Sequence, residues 1–317
     1  MNQLLTSLAL GVNFIAATLL PSTAQAIDLA IVGFQMSSET HARVANAAAA
    51  AAKEKGWNAS ILNSEGSLPK HAEQLDTLVQ RKPDAILIAM GKPVEAEAQL
   101  KSAKDAGIPV LTVMAGTSAH TLFDIQVNEY KVGAEAALYL LGQMNYQGNI
   151  LTQRFDGNVG TRIRGKVLDA VLSENTGVKV VGTHTMARTQ SWRDDVRNGM
   201  QALLLKNQGQ VQGIWASFDG QAYVIDDMLR DQGVKKGDIP LVSIDGGEET
   251  YRRIADPESV LMATVAIPFE EMGKQAVEAL DAIVVKKQPK DSITSGPYLF
   301  LDAVLVDARN VKQFMSN

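Results

Sequence analysis

The sequence predicts an α/β protein made of two doubly wound parallel-sheet lobes joined by three crossings. Three observations predict it. Short β-branched apolar runs alternate with amphipathic helical patterns along the chain, which is the sequence form of repeated βαβ units. About ten strands are too many for one regular open sheet, so the series divides into two. No low-complexity tract, Pro/Gly-rich linker or repeat of about 20 to 50 residues interrupts the chain, which favours lobes joined by short crossings over domains strung on a linker.

The first half reads strand 27–34, helix 40–55, strand 57–62, helix 70–81, strand 85–90, helix 94–106 and strand 108–113. Gly56 and Gly107 stand where helix C-caps belong. The second series reads helix 130–144, strand 149–153, helix 161–174, strand 178–183, helix 192–205, strand 213–216 and helix 221–231. It continues with strand 240–244, a short helix 248–254, strand 260–265 and helix 269–285. Crossings are expected near Val127 to Asn128, Ala266 to Pro268 and Tyr298 to Leu301. That assigns 27–127 with 268–298 to a first lobe and 128–267 with 299–317 to a second. Open parallel sheets bind ligands at the carboxyl ends of their strands, so the loops after Phe34, Met90, Val113, Gln153, Ala216, Ile244 and Val265 are where a site is expected.

Residues 1–26 read as an export signal: an apolar run from Leu8 to Leu20, Pro21 as a helix breaker, and Ala24-Gln25-Ala26 as a small-x-small cleavage site. A membrane-spanning helix needs about 20 predominantly apolar residues, and Gly11, Asn13 and Pro21 interrupt this run. The expected product begins at Ile27 and is free in the periplasm. Removing 26 of 317 residues leaves 291, enough for two lobes that each bury a core. The formal charge of -5 argues against a phosphate-backbone footprint, so no nucleic-acid partner is expected. The absence of cysteine excludes disulfides, thiolate chemistry, cysteine metal sites and a lipidated N-terminal cysteine.

No motif points to catalysis. Gly160-x-x-x-x-Gly165-Lys166 approaches a P-loop, but Val167 stands where Ser or Thr would hold Mg²⁺. The same segment places Arg162 and Arg164 at a helix N-terminus, suited to an oxygen-rich ligand or simply solvated. His41, His71, His120 and His184 are far apart and lack i+4 partners, so no zinc constellation is expected. Adjacent acid pairs such as Asp226/Asp227 and Glu270/Glu271 do not face one another on a helix. No G-x-S-x-G nucleophile elbow occurs. Two strand ends remain: Ser243-Ile-Asp245-Gly246-Gly247, where Asp245 either caps the next helix or points into a cleft, and Ser217-Phe218-Asp219-Gly220, where a ring adjoins a carboxylate. With Arg162 these suit a sugar, because vicinal hydroxyls match carboxylate and guanidinium partners while a flat ring covers a C–H face.

The chain resembles the periplasmic sugar-binding proteins of the ribose and galactose type, the solute-binding components of ABC importers, with the type I periplasmic binding protein fold. The resemblance covers nearly all of the mature sequence. It is carried by Ile27-Asp-Leu-Ala-Ile-Val-Gly-Phe34, Pro83-Asp-Ala-Ile-Leu-Ile88, Ala106-Gly-Ile-Pro-Val-Leu111, Arg162-x-Arg-Gly165, Asn198-Gly-Met-Gln-Ala-Leu-Leu204 and Val242-Ser-Ile-Asp-Gly246. Lactose-repressor-type regulators share the fold but carry a DNA-binding headpiece where this chain has a signal.

The resemblance implies that Arg162 grips ring hydroxyls, that Asp245 is the aspartate of the family's Asp-Gly turn, and that Trp192 lies near the lid aromatic. It places Phe218 and Asp219 near a ligand-contacting position and the first-lobe loop on Phe34 to Arg43. The family's Asp-Arg pair after the fourth strand is replaced by Met114 and Ala115, its hinge glutamine lands near Ile267, and the galactose-type calcium loop is absent. The first lobe is therefore expected to bind through Glu39, Thr40, Arg43 or Lys92, with Asn128 at the first crossing. The implied function is capture of a small sugar or polyol and delivery to an inner-membrane ABC permease, by a monomer without cofactor, metal or enzymatic activity. The alternative is a periplasmic sensor that signals to a receptor or histidine-kinase ectodomain.

Overall fold

The computed structural model describes residues 26–91 and 96–315. The proposed signal up to residue 25, and Lys92, lie outside the described residues. The first series runs β1 (Asp28–Gly33), α1 (Glu39–Glu54), β2 (Asn58–Asn63), α2 (Leu68–Arg81), β3 (Ala85–Ala89), α3 (Glu97–Asp105), β4 (Val110–Val113) and β5 (Asp124–Val127). The second runs α4 (Glu129–Gln143), β6 (Gly148–Arg154), α5 (Val159–Glu174), β7 (Val178–Thr185), α6 (Trp192–Lys206), β8 (Gly213–Ala216), α7 (Asp219–Asp231), β9 (Leu241–Asp245), α8 (Glu248–Ala255) and β10 (Leu261–Ala266). The chain then returns through α9 (Phe269–Leu280) to β11 (Tyr298–Leu301) and ends near β12 (Val304–Asp307).

Two six-stranded sheets result, in the orders β11-β5-β4-β3-β1-β2 and β12-β10-β9-β8-β6-β7. Leu29 to Val32, Ile86 to Ala89 and Ile214 to Ala216 are completely buried, as continuous apolar runs must be when helices cover both faces of a parallel sheet. The helices pack through small residues. At Gly273 of α9 an added Cβ would lie 2.5 Å from the Val44 carbonyl oxygen and 2.9 Å from the Ala48 nitrogen of α1, so glycine sets this approach. At Gly133 of α4 it would lie 3.0 Å from Cα of Arg164, which brings α5 and its arginine against the lobe interior.

The structure corrects three expectations. The third crossing lies beyond the predicted position, because residues 298–301 pair in parallel with β5, and residues 299–301 therefore belong to the first sheet. The second sheet is not wholly parallel: β12 runs antiparallel to β10, since it enters directly from the first lobe and travels away from the face towards which its neighbours run. The helix expected over 269–285 is α-helical to Leu280, then widens into π turns over Asp281–Val285.

Candidate functional site

The carboxyl ends of both sheets face one another, and the second lobe supplies the more polar wall. Asp245 ends β9 with φ 138°, a backbone conformation that L-residues rarely adopt, immediately before Gly246 and Gly247. Its Oδ1 accepts from Arg164 Nη1 at 3.1 Å. Arg164, 3 % exposed, also donates from Nε and Nη2 to the Glu129 carboxylate at 2.6 and 3.1 Å and from Nη1 to the Ser217 carbonyl at 3.0 Å. Burial opposes the Arg164 charge, and the Glu129 and Asp245 carboxylates more than offset it, raising its pKa. Burial pushes the Asp245 carboxyl up to about 7, with Arg164 pulling it down and the nearby Asp219 and Glu129 charges adding to the rise. Asp245 is thus held by one oxygen, in a strained backbone, largely buried at the carboxyl end of β9.

At the end of the neighbouring β8 lies an aromatic cluster. Phe218 follows β8, with Trp192 at the start of α6 tilted on it at 5.9 Å between ring centres and Phe155 edge-on at 6.1 Å. The Arg188 guanidinium covers Phe155 at 5.2 Å and donates to the Gly157 carbonyl at 2.7 Å. Arg162 donates from Nη1 to the Asp156 carbonyl at 2.8 Å, so one edge of its fork is used within its own loop. In the first lobe, Phe34 is buried after β1, with the His71 ring edge-on at 5.7 Å and the His41 ring tilted at 6.4 Å. His41 Nδ1 accepts from the Gln35 amide at 3.3 Å, which puts the ring proton of the neutral imidazole on Nε2. Burial, with the Arg188 charge adding, lowers the His41 pKa to about 4. Glu39 is exposed in the first turn of α1, and Thr40 Oγ1 lies 3.3 Å from Ser38 Oγ.

Three expected ligand contacts are engaged elsewhere. Asp219 is a buried knot: Oδ1 accepts from Ser243 and Thr264 at 2.5 and 2.9 Å, and Oδ2 from the Gly246 amide and Thr250 at 2.7 and 2.6 Å. Four donors saturate both oxygens and fasten the Asp245–Gly246 turn from behind. Arg43 is also occupied, donating from Nε and Nη2 to Glu270 at 2.6 and 2.9 Å, from Nη1 to the Gly246 carbonyl at 2.5 Å, and lying over Phe269 at 5.0 Å. It links the lobes. Asn128 spends Oδ1 on the amides of Tyr130 and Lys131, both at 3.1 Å, as the N-cap of α4.

Sequence reasoning passed over His41, Phe155 and Arg188 as cleft residues. In sequence a lone histidine signals at most a metal ligand, and neither Phe155 nor Arg188 belongs to a motif. Among the described residues no group of three or more His, Cys, Asp or Glu is placed to hold a metal ion.

The family model for the periplasmic binding protein domain matches residues 29–288. The chain belongs to this family. Among the periplasmic binding proteins it is 29 % identical over 199 residues to the xylitol-binding protein of Mycolicibacterium smegmatis, covering 61 % of this chain and 53 % of that protein, so the match spans about half of that relative's length. A solved ABC sugar transporter subunit from Rhodobacter sphaeroides is 27 % identical with TM-score 0.77, covering 90 % of this chain and 99 % of the other. An ABC transporter solute-binding protein from Agrobacterium vitis, with bound allitol, is 26 % identical with TM-score 0.79 over 91 % of this chain and 98 % of the other. The family is one of transport-associated binding proteins and not of enzymes.

Proposed function

We propose that the protein captures a neutral sugar or polyol between its lobes and delivers it to an ABC importer, working in the periplasm after removal of residues 1–26. The observation that carries this reading is Asp245 at the end of β9, anchored through one oxygen by Arg164, which also bonds the Ser217 carbonyl just before Phe218, the ring on which Trp192 and Phe155 pack at the end of the neighbouring β8. A carboxylate accepting from vicinal hydroxyls, next to flat rings for C–H faces, is the chemistry of carbohydrate recognition. A neutral ligand is favoured by the pairing of two of the cations, Arg43 with Glu270 and Arg164 with Glu129 and Asp245, whereas Arg162 and Arg188 bond backbone carbonyls. The polyols named for the Mycolicibacterium smegmatis and Agrobacterium vitis proteins support the ligand class. Delivery to a permease rests on the family.

A thermal-shift screen of the purified protein against sugars, polyols and sugar acids tests the reading. A ligand present at 100 times its dissociation constant adds about 2.7 kcal/mol of stability, and the affinity of a neutral ligand should hold as salt rises. Stabilisation by sugar acids alone, weakening with salt, would overturn the neutral-ligand reading.

A further inference from the structure

The two walls of the cleft differ in chemistry. Met36, Met90 and Met114 follow β1, β3 and β4 at the edge where the first lobe meets the second, each partly exposed while packing against the core. Met90 and Met114 take left-handed backbone, φ 59° and 51°, directly after their strands. Their amides continue the ladder by one bond each, to the Val113 carbonyl at 2.8 Å and the Ile125 carbonyl at 2.9 Å. These backbones are thereby held in a conformation uncommon for residues other than glycine. Met36 lies against Gly33, where an added Cβ would collide with its sulfur.

Several polar groups around this wall are already engaged within their own lobe, while Asp124 Oδ2 is buried without a hydrogen-bond partner and Glu39 is exposed at its margin. Asn63 Oδ1 accepts from the amides of Met36 and Glu65 at 3.2 and 2.9 Å, and Ser64 Oγ donates to Gln74 at 2.7 Å. Thr112 Oγ1 lies 3.0 Å from the Gly116 carbonyl, and Asp124 Oδ1 accepts from the Ala115 amide at 3.1 Å. His41 Nε2 and the Glu39 carboxylate are the polar groups that border this wall. Met114 and Ala115 also stand where the resemblance leads one to expect a charged pair.

We propose that Met36, Met90 and Met114 are specificity-determining residues that select a ligand with an apolar end, a deoxy or methyl terminus, while Asp245 and Arg162 take its hydroxyls. The proposal rests on the sugar or polyol reading above. A thioether side chain fills an irregular gap by dispersion and has only a weakly accepting sulfur. A hydroxyl buried against three such chains loses water without a good replacement partner, whereas a methyl group gains contact. The ligand is thus amphipathic across its length.

The test is calorimetric titration of matched pairs: L-fucose, L-rhamnose and D-quinovose, each against its parent hexose, and the alditols of all six. The tightest deoxy compound should bind about 10- to 100-fold more tightly than its hydroxylated parent, the scale of one unpaired buried hydroxyl. Met114→Gln should shrink that ratio to below about threefold by offering the hydroxyl a partner. Met90→Gln serves if Met114→Gln does not fold, and the wild-type pairs decide independently of either. A parent that binds as tightly as its deoxy partner, or a ratio unchanged in the glutamine variants, overturns the proposal. So does binding of a fully hydroxylated compound when no deoxy member binds, and that result leaves the sugar or polyol reading intact. If no carbohydrate binds at all, that reading falls and takes this proposal with it.

Discussion

Replacing Arg164 with methionine isolates the buried charge network beneath the cleft. The guanidinium is 3 % exposed and holds Glu129, 5 % exposed, in a bidentate pair while also bonding Asp245 and the Ser217 carbonyl. Arg164→Met keeps much of the volume and strands two carboxylates in the interior. Breaking a buried pair from one side costs about 3–5 kcal/mol. At about 2–4 °C per kcal/mol for a protein of this size, the midpoint should fall by about 6–20 °C. Thermal unfolding followed by circular dichroism reads the change. Adding Glu129→Gln should restore part of the loss, since it removes one stranded charge, while Arg164→Lys should fall between wild type and Met because an ammonium cannot reproduce the forked geometry. A midpoint for Arg164→Met within about 2 °C of wild type would refute the reasoning that removing Arg164 leaves uncompensated buried charge.

Asp245→Ala should weaken ligand binding by about 1.5–3 kcal/mol, the scale for a hydrogen bond to a charged group, and leave the protein folded; calorimetry at wild-type affinity would show that Asp245 does not touch ligand. Acidification should stabilise the protein between about pH 7 and 5. Asp124 and Asp245 have folded pKa values raised from 3.8 to about 6 and about 7, so in that window the native state holds protons the unfolded chain lacks, and stability falls as pH rises through it. His41, lowered from 6.5 to about 4, acts in the opposite sense with one proton against two. Denaturant titrations should therefore show the trend reversing in Asp124→Asn/Asp245→Asn; an unchanged slope would sink the assignment. Arg43→Ala, which removes the bond to the Gly246 carbonyl, should shift the ligand-free protein towards a more open form, read as a larger radius of gyration that saturating ligand reduces. Identical scattering from the two ligand-free proteins would count against Arg43 as an interlobe link.

The fold was readable because its signals are local. Buried parallel strands such as Leu29 to Val32 are unbroken apolar runs, and helix ends carry their own glycines. The short strands β5, β11 and β12 escaped because, unlike the equally short but fully buried apolar β4 and β8, β5, β11 and β12 include polar or exposed positions, and the pairing of β11 depends on a partner far along the chain, Asp124 for Tyr298. In the site, the position of Asp245 at a strand end was legible from topology. What its neighbours do was not. Arg162 and Arg164 sit two residues apart with the same chemistry, yet one bonds a loop carbonyl and the other is buried between two acids. The fate of Asp219 depends on Ser243, Thr250 and Thr264, and that of Arg43 on Glu270, separations that no sequence window spans.

The three crossings have a mechanical consequence. At the first-lobe edge β11 lies beside β5, and at the second-lobe edge β12 lies beside β10, so the segments between the sheets leave and arrive as neighbours. A single tether would let one lobe swivel and slide against the other. Three tethers side by side behave as a flexible plate, soft to bending and stiff to torsion and shear. Each opening and shutting should then retrace one arc, so that Asp245 and the methionines opposite return to the same registration every time, whatever has happened on the outer surfaces of the lobes.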